Sequence, residues 1–184
     1  MTTATLERAL TVPPMRPLPA TAAELLRALD APPRLGAHLR VVHDVAWSLT
    51  DTLGRRWPAL EFDTTAVLFG AATHDIGKVL HPAELTGPGT AHEAAGEDLL
   101  LRYGVPAHLA RFAASHGSCW TRPDKTLDEL LVSLADTVWK GSRLRRLEQR
   151  VTALTGRPSD LADILRALAA GAPHRLAFQS AYPV

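Results

Sequence analysis

Residues 63–78 read DTTAVLFGAATHDIGK. Asp63 has the residue type and the position of a helix N-cap, its carboxylate able to accept from free backbone N–H groups of the first turn. The apolar run behind it carries a helix to about His74. His74-Asp75 closes that helix and runs into Ile76-Gly77-Lys78, where glycine can turn the chain and lysine can meet an anion. A second His-Asp pair stands at His43-Asp44, so the pair alone decides little. Context separates the two. His74-Asp75 has a candidate histidine upstream, then two histidines and an aspartate downstream. His43-Asp44 has only His38 ahead of it, on its own helix. His74-Asp75 is the working pair.

Helical phase, at about 100° per residue, sorts the remaining histidines. On the helix that begins at Pro33, His38 falls within the stripe Leu35, Val42, Val45 and Leu49, and His43 points about 140° away from it. An imidazole inside an apolar stripe must be hydrogen-bonded or metal-bound. His92 shares a face with Ala95, Gly96, Leu99 and Tyr103. His116 shares one with Leu109, Phe112 and Ala113. Three inward histidines on three helices are explained together by one site where they converge. His81, His108 and His174 have no place in that set and read as surface residues.

The rest of the chain supports an all-α fold. Ala and Leu dominate, apolar residues reach 46% and aromatics only 5% of 184 residues, a mixture that favours helices over strands. Residues 1–20, with Pro13, Pro14, Pro17 and Pro19, are expected to form a mobile arm or extended wrap ahead of a single helical domain spanning 21–184. Thr21 with Glu24 predicts a capping box for a short helix ending before Pro32 and Pro33. The next helix runs to about Leu53, with Gly54 as its stop. A Gly/Pro-rich loop from His81 to Gly89 precedes helices at about 91–103 and 106–116. Thr126 with Glu129 opens a long helix through Arg143, and Ser159 caps a last helix that stops at Gly171.

Lys plus Arg (20) nearly cancels Asp plus Glu (19), giving a net charge of +1. Such a chain has no bulk field for nucleic acid or an anionic membrane, so any anion site must be local. The single cysteine, Cys119, excludes an internal disulfide and a zinc ribbon and reads as incidental. Glu7 and Arg8 interrupt what would be a signal-peptide core, and no apolar run reaches the roughly 20 residues of a membrane span, so a cytoplasmic location is expected.

The elements His38 with Val42 and Ala46, THDIGK around His74-Asp75, HEAAGEDLL from His92, AASHG around His116 and LLVSLADTVWKGSR around Asp136 occur in the order H…HD…H…H…D. This order resembles the HD-domain metal phosphohydrolases over roughly residues 33–145. The layout is similar to the six-ligand, binuclear branch that includes bacterial symmetrical diadenosine tetraphosphate hydrolases and HD-GYP cyclic-di-GMP phosphodiesterases. The GYP signature is absent, which disfavours the latter. Substrate does not transfer with layout.

The resemblance implies an HD-domain helical bundle in which His38, His74, Asp75 and Asp136 hold one metal. His92 and His116 hold a second, with Asp75 bridging. Mixed imidazole and carboxylate ligands suit transition metals, Fe or Mn first and Zn, Ni or Co after them, better than Mg or Ca. Such a pair activates a bridging water for attack on a phosphate ester or anhydride of a nucleotide-like small molecule. Asp75 and Lys78 are the candidate catalytic residues. Lys78 is also the leading contact for a substrate phosphate, followed by Lys140 and Arg143 on the face of Asp136, then Arg122 and Lys125. Lys140 and Arg143 could equally form a solvated charged helix end. Trp120 and Trp139 could stack on a base but read as core. Two other functions compete: a di-iron HD-type oxygenase, and a non-catalytic metal- or nucleotide-binding module.

Overall fold

The computed structural model describes residues 2–184. Its α-helices are α1 (Thr2–Thr11), α2 (Ala20–Ala28), α3 (Pro33–Arg56), α4 (Thr64–Thr73), α5 (Ala91–Arg102), α6 (Ala107–Ala110), α7 (Leu127–Val138), α8 (Arg145–Thr155), α9 (Pro158–Ala170) and α10 (Ala172–Ser180). Four 3₁₀ turns join them, at Ile76–Val79, Pro82–Leu85, Arg111–Ala114 and Ser118–Thr121. No strand occurs among the described residues, and no described helix is long and apolar enough to cross a membrane. The all-α expectation agrees with this architecture.

The long helix α3 is the axis of the molecule, packed on by α1, α4, α7, α9 and α10. Its residues Val42, Val45, Leu49 and Leu53 enter one apolar core with Val67, Phe112, Leu131, Leu134, Val138, Val151 and Leu165. Leu35 and Leu39, nearer its start, enter a second core with Leu6, Leu10, Leu26, Ile76, Leu100 and Ala113. Each fully buried leucine or valine contributes about 1.5–3 kcal/mol relative to exposure. His38 falls on α3 between Leu35 and Leu39, in the segment that serves the second core.

Several boundaries differ from the sequence-based expectation, each for a local reason. Residues 2–20 form α1 and a proline turn, with Leu6, Ala9, Leu10, Met15 and Leu18 buried, where a mobile or extended arm is expected. Buried Arg40 of α3 fastens this segment, its Nη1 donating to Ala9 O (2.8 Å) and Val12 O (3.0 Å), its Nε to Arg16 O (3.1 Å) and its Nη2 to Met15 O. Helix α2 starts at Ala20 behind Pro19, so Thr21 is not its cap. Helix α3 runs through Gly54, because Leu53 is buried and its carbonyl still accepts from Trp57 N.

The Asp63 cap is present, accepting from Ala66 N at 2.9 Å, as is the Thr126–Glu129 capping box. The expected helix at 106–116 splits into α6 and a 3₁₀ turn, with Phe112 lying so close to Gly70 that a Cβ there would come within 2.6 Å of its ring. Helix α7 stops at Val138, and Gly141, with φ of +82°, turns the chain. Helix α9 has Arg157, not Ser159, at its N-cap. Helices α8 and α10 add to the expected set.

His43 and Asp44, the second pair, lie on the side of α3 turned toward the N-terminal segment. Asp44 Oδ1 accepts from Arg16 N (3.3 Å) and Arg16 Nη1 (2.9 Å). His43 is buried although it points away from the stripe of His38, because a helix covered by α1, α4, α7 and α10 keeps little solvent face. Burial pushes the His43 imidazole down to about 4, outweighing the pull of Asp44. Its folded value lies below its unfolded value of about 6.5. The unfolded chain therefore takes up the proton first, so this stability is complete above pH 6.5 and lost as pH falls towards 4. The loss expected from this one group is roughly 3 kcal/mol. Urea melts of metal-stripped protein between pH 7.5 and pH 4 should show a steeper decline for the wild type than for His43→Gln; identical slopes would show that His43 is not buried neutral.

Candidate metal centre

The site forms where five local structures meet. His38 projects from α3. His74 is the C-cap of α4 and Asp75 begins the following 3₁₀ turn, with φ of −100° and ψ of 9°. His92 lies in the first turn of α5. His116 follows the turn Arg111–Ala114, and Asp136 projects from α7. The approach of the Asp75 turn to α5 depends on a glycine, since a Cβ on Gly77 would meet His92 O at 2.0 Å and Gly96 N at 2.6 Å. Any side chain at position 77 would push Asp75 away from His92.

Asp75 occupies the centre, and its two oxygens face different histidines. Oδ2 lies 3.1 Å from His38 Nε2 and 3.7 Å from His74 Nε2. Oδ1 lies 3.0 Å from His92 Nε2 and 3.2 Å from His116 Nε2. Asp136 Oδ1 completes the first side at 3.6 Å from His38 Nε2 and 3.5 Å from His74 Nε2. The imidazoles also approach one another, with Nε2–Nε2 distances of 3.3 Å (His38–His74) and 3.4 Å (His92–His116). The structure thus brings together all six residues singled out from the sequence. Ligand atoms of His38, His74 and Asp136, and of His74, Asp75 and His116, form two mutually close sets within 4.8 Å. His92 joins the second set through Asp75 and His116.

The outer ring nitrogens are fixed by the fold. His74 Nδ1 donates to Ala71 O and His116 Nδ1 to Ala113 O, both at 3.0 Å, each one turn back along its own backbone. His92 Nδ1 lies 2.5 Å from Glu84 Oε2, and the Glu84 carboxylate also accepts from Ala91 N and His92 N at the start of α5. The His116 carbonyl accepts from Ser133 Oγ at 3.0 Å, tying this histidine to α7. With Nδ1–H committed outward in His74, His92 and His116, each presents an Nε2 lone pair to the centre.

Three converging imidazole lone pairs and two carboxylates repel one another unless a cation lies among them. Ligand atoms about 2.0–2.2 Å from a shared transition metal lie about 3–3.5 Å apart, close to the separations found here. The donor set therefore fits metal. Without one, the imidazoles must supply the positive charge. Burial opposes ionisation of Asp75, but the facing His74, His116, His38 and His92 hold its carboxyl well below the usual range. Asp136 is likewise held low by His74 and His38 against burial. Burial alone would lower His92, yet Asp75 and Glu84 raise it above its ordinary value.

Lys78 Nζ donates to Asp75 Oδ2 at 2.6 Å. It lines a cavity of about 160 Å³ over the cluster, together with Arg34, His38, Asp75, Trp139 and Gln179. The other cations expected to meet substrate do not line it. Arg143 is taken by Glu148, at 2.5 and 2.7 Å, and Arg122 pairs with Asp124 at 3.2 Å on the surface. Lys140 lies exposed past the end of α7, whose termination at Val138 breaks the phase relation to Asp136. Lys125 binds Glu129 at 2.9 Å. Trp139 is buried edge-on to His38, with centroids 5.2 Å apart, while Trp120 packs against the larger core. His108 and His174 are exposed and His81 is half-buried. The side chain of Cys119 lies outside the described residues.

Sequence reasoning missed Glu84, Arg34 and Gln179. Arg34 was legible in principle, being one helical turn before His38 on the same face. Glu84 lies in the 3₁₀ turn Pro82–Leu85, too short to carry a period that would place it. A larger cavity of about 580 Å³, walled by Leu25, Leu68, Phe69, Tyr103 and Leu109, contains none of the six converging residues, and its one charged lining group is Glu24. Size does not make it the reactive site.

Comparison with known proteins agrees with this geometry. The family model described as HD domain matches residues 35–139, more than half of the chain and a span that includes all six residues. A multifunctional CCA protein of Verminephrobacter eiseniae (strain EF01-2) is 34% identical over 149 residues, 80% of this chain and 32% of that protein. The chain thus spans about a third of the length of that relative. No solved structure matches. The converging histidines and aspartates and the matched span lead to one conclusion: the chain belongs to the HD domain family.

Proposed function

We propose that this HD domain is a metal-dependent phosphohydrolase that cleaves a phosphate ester or anhydride of a nucleotide-like small molecule. The observation that carries the proposal is the division of Asp75, one oxygen toward His38 and His74 and the other toward His92 and His116. His38, His74, Asp136 and Asp75 Oδ2 would hold one ion, and His92, His116 and Asp75 Oδ1 a second. Iron or manganese suits this mixture of imidazole and carboxylate, as do zinc, nickel and cobalt. Bound metals of this kind acidify water and withdraw charge from a phosphoryl oxygen.

The chain's own groups do the positioning. Glu84 fixes the tautomer and orientation of His92, and the carbonyls of Ala71 and Ala113 do the same for His74 and His116. Lys78 keeps one N–H on Asp75 and has two left for a phosphoryl oxygen or the departing oxygen, where its charge strengthens the bond. Leu35, Leu85 and Trp139 wall the cavity and limit water around the reacting group.

Asp75→Ala should abolish metal binding and phosphatase or phosphodiesterase turnover, whereas Asp44→Ala should leave both nearly intact because Asp44 only pairs with Arg16. Metal analysis of the two purified variants checks this, and the reverse pattern would transfer the site to the other pair. Glu84→Gln should weaken metal affinity by roughly 10–100-fold, the scale of a lost outer partner to a ligating histidine; equilibrium metal titration reads it directly. Lys78→Ala should slow turnover about tenfold or more. Hydrolysis should persist without oxygen, since it moves no electrons. Activity that requires iron and consumes oxygen in stoichiometric amount would instead make the protein an oxygenase.

A further inference from the structure

Two cations line the mouth of the site, and their electrostatic situations differ. Lys78 is offset by Asp75 at 2.6 Å. Arg34 has no carboxylate partner among the described residues; its side-chain bond is from Nη1 to Tyr182 O at 3.5 Å, at the outer limit of hydrogen bonding. Arg34 stands four residues before His38 on α3, so both project from the same face. The C-terminal segment is secured beside it, with Arg34 N donating to Pro183 O (3.0 Å) and Tyr182 Oη to Arg8 O (3.1 Å). From α10, Gln179 brings a neutral amide to the same cavity.

We propose that Arg34 is the specificity-determining residue of the site and selects a terminal phosphoryl dianion, favouring phosphomonoesters and terminal anhydrides over diesters. This rests on the phosphohydrolase reading above. A terminal phosphoryl group carries about −1.5 to −2 at neutral pH, and a diester carries one charge fewer at most. Lys78 shares its charge with Asp75, so among the side chains of the cavity Arg34 is the cation without a carboxylate partner and the one best placed to distinguish them. Its planar fork matches two non-bridging oxygens at once, which a diester presents without the second charge.

Volume points the same way. The cavity of about 160 Å³ is well below the roughly 300–1,000 Å³ of pockets that enclose a whole small molecule. It accommodates a phosphoryl group entering by its free end, with the remainder of the substrate outside. A diester would have to lead a second substituent out past Trp139 or Gln179. Gln179 can hydrogen-bond the ester oxygen or the outer part of the substrate without adding charge.

The test uses the full-length, metal-loaded chain with p-nitrophenyl phosphate and bis-p-nitrophenyl phosphate, and separately the binding of inorganic phosphate by calorimetry. The wild type should prefer the monoester. Arg34→Gln should lower kcat/KM for the monoester by about tenfold or more, with the diester changed far less, and weaken phosphate binding by a similar factor. Arg34→Lys keeps the charge without the fork and should recover only part of each loss, while thermal melting of both variants checks that the C-terminal segment stays in place. Equal losses on the two esters, or phosphate binding indifferent to Arg34, would overturn the proposal while leaving hydrolysis standing. Arg34-dependent phosphate binding in a protein that hydrolyses neither ester would uphold the anion site and overturn the phosphohydrolase reading.

Discussion

The structure is organised around a buried carboxylate shared by four imidazoles. Asp75 is almost fully enclosed, and burying an ionised carboxyl group in an apolar bundle is costly unless positive charge surrounds it. His38 and His74 lie on one oxygen, His92 and His116 on the other, with Lys78 as an additional partner. The outward hydrogen bonds of His74, His92 and His116 turn their lone pairs to the same centre. Such an arrangement of acceptors calls for positive charge among them, and it is a donor set that could hold metal.

The fold serves this centre by bringing five chain segments to one point. His38 emerges from the segment of α3 that serves the second core, between Leu35 and Leu39, while α4 with its following turn, α5, the segment after the Arg111–Ala114 turn and α7 bring the other five residues to it. Gly77 allows the Asp75 turn to lie directly against α5, and Ser133 links the His116 carbonyl to α7. Helix α1 and the proline turn, clasped by Arg40, cover the far side of α3. The N-terminal segment therefore supports the helix that carries both His38 and Arg34.

Much of this was legible in the sequence, for reasons that also explain the failures. His38 and His92 could be placed because helical phase converts spacing into direction, and the caps at Asp63 and Thr126 were legible because their partners are local in sequence. Asp136 does lie beside His38 and His74, but the same phase extended to Lys140 and Arg143 failed because α7 ends at Val138 and Arg143 turns to Glu148. His43 escaped because an amphipathic pattern assumes a solvent face that this side of α3 lacks. Residues 2–20 were misread from their prolines, although the ordering force is tertiary: a buried guanidinium that satisfies four carbonyls. Glu84 and Gln179 reach the site from a short 3₁₀ turn and from the last helix, and their partners are distant in sequence or irregularly spaced.

Whether Asp75 joins two cation sites is tested most directly by manganese binding. Metal-stripped protein titrated with Mn²⁺ and followed by electron paramagnetic resonance should bind two ions per chain, with a spectrum that shows the spins coupled through a shared ligand. One ion per chain with an uncoupled signal, or no binding at all, would contradict a centre built across the two oxygens of Asp75.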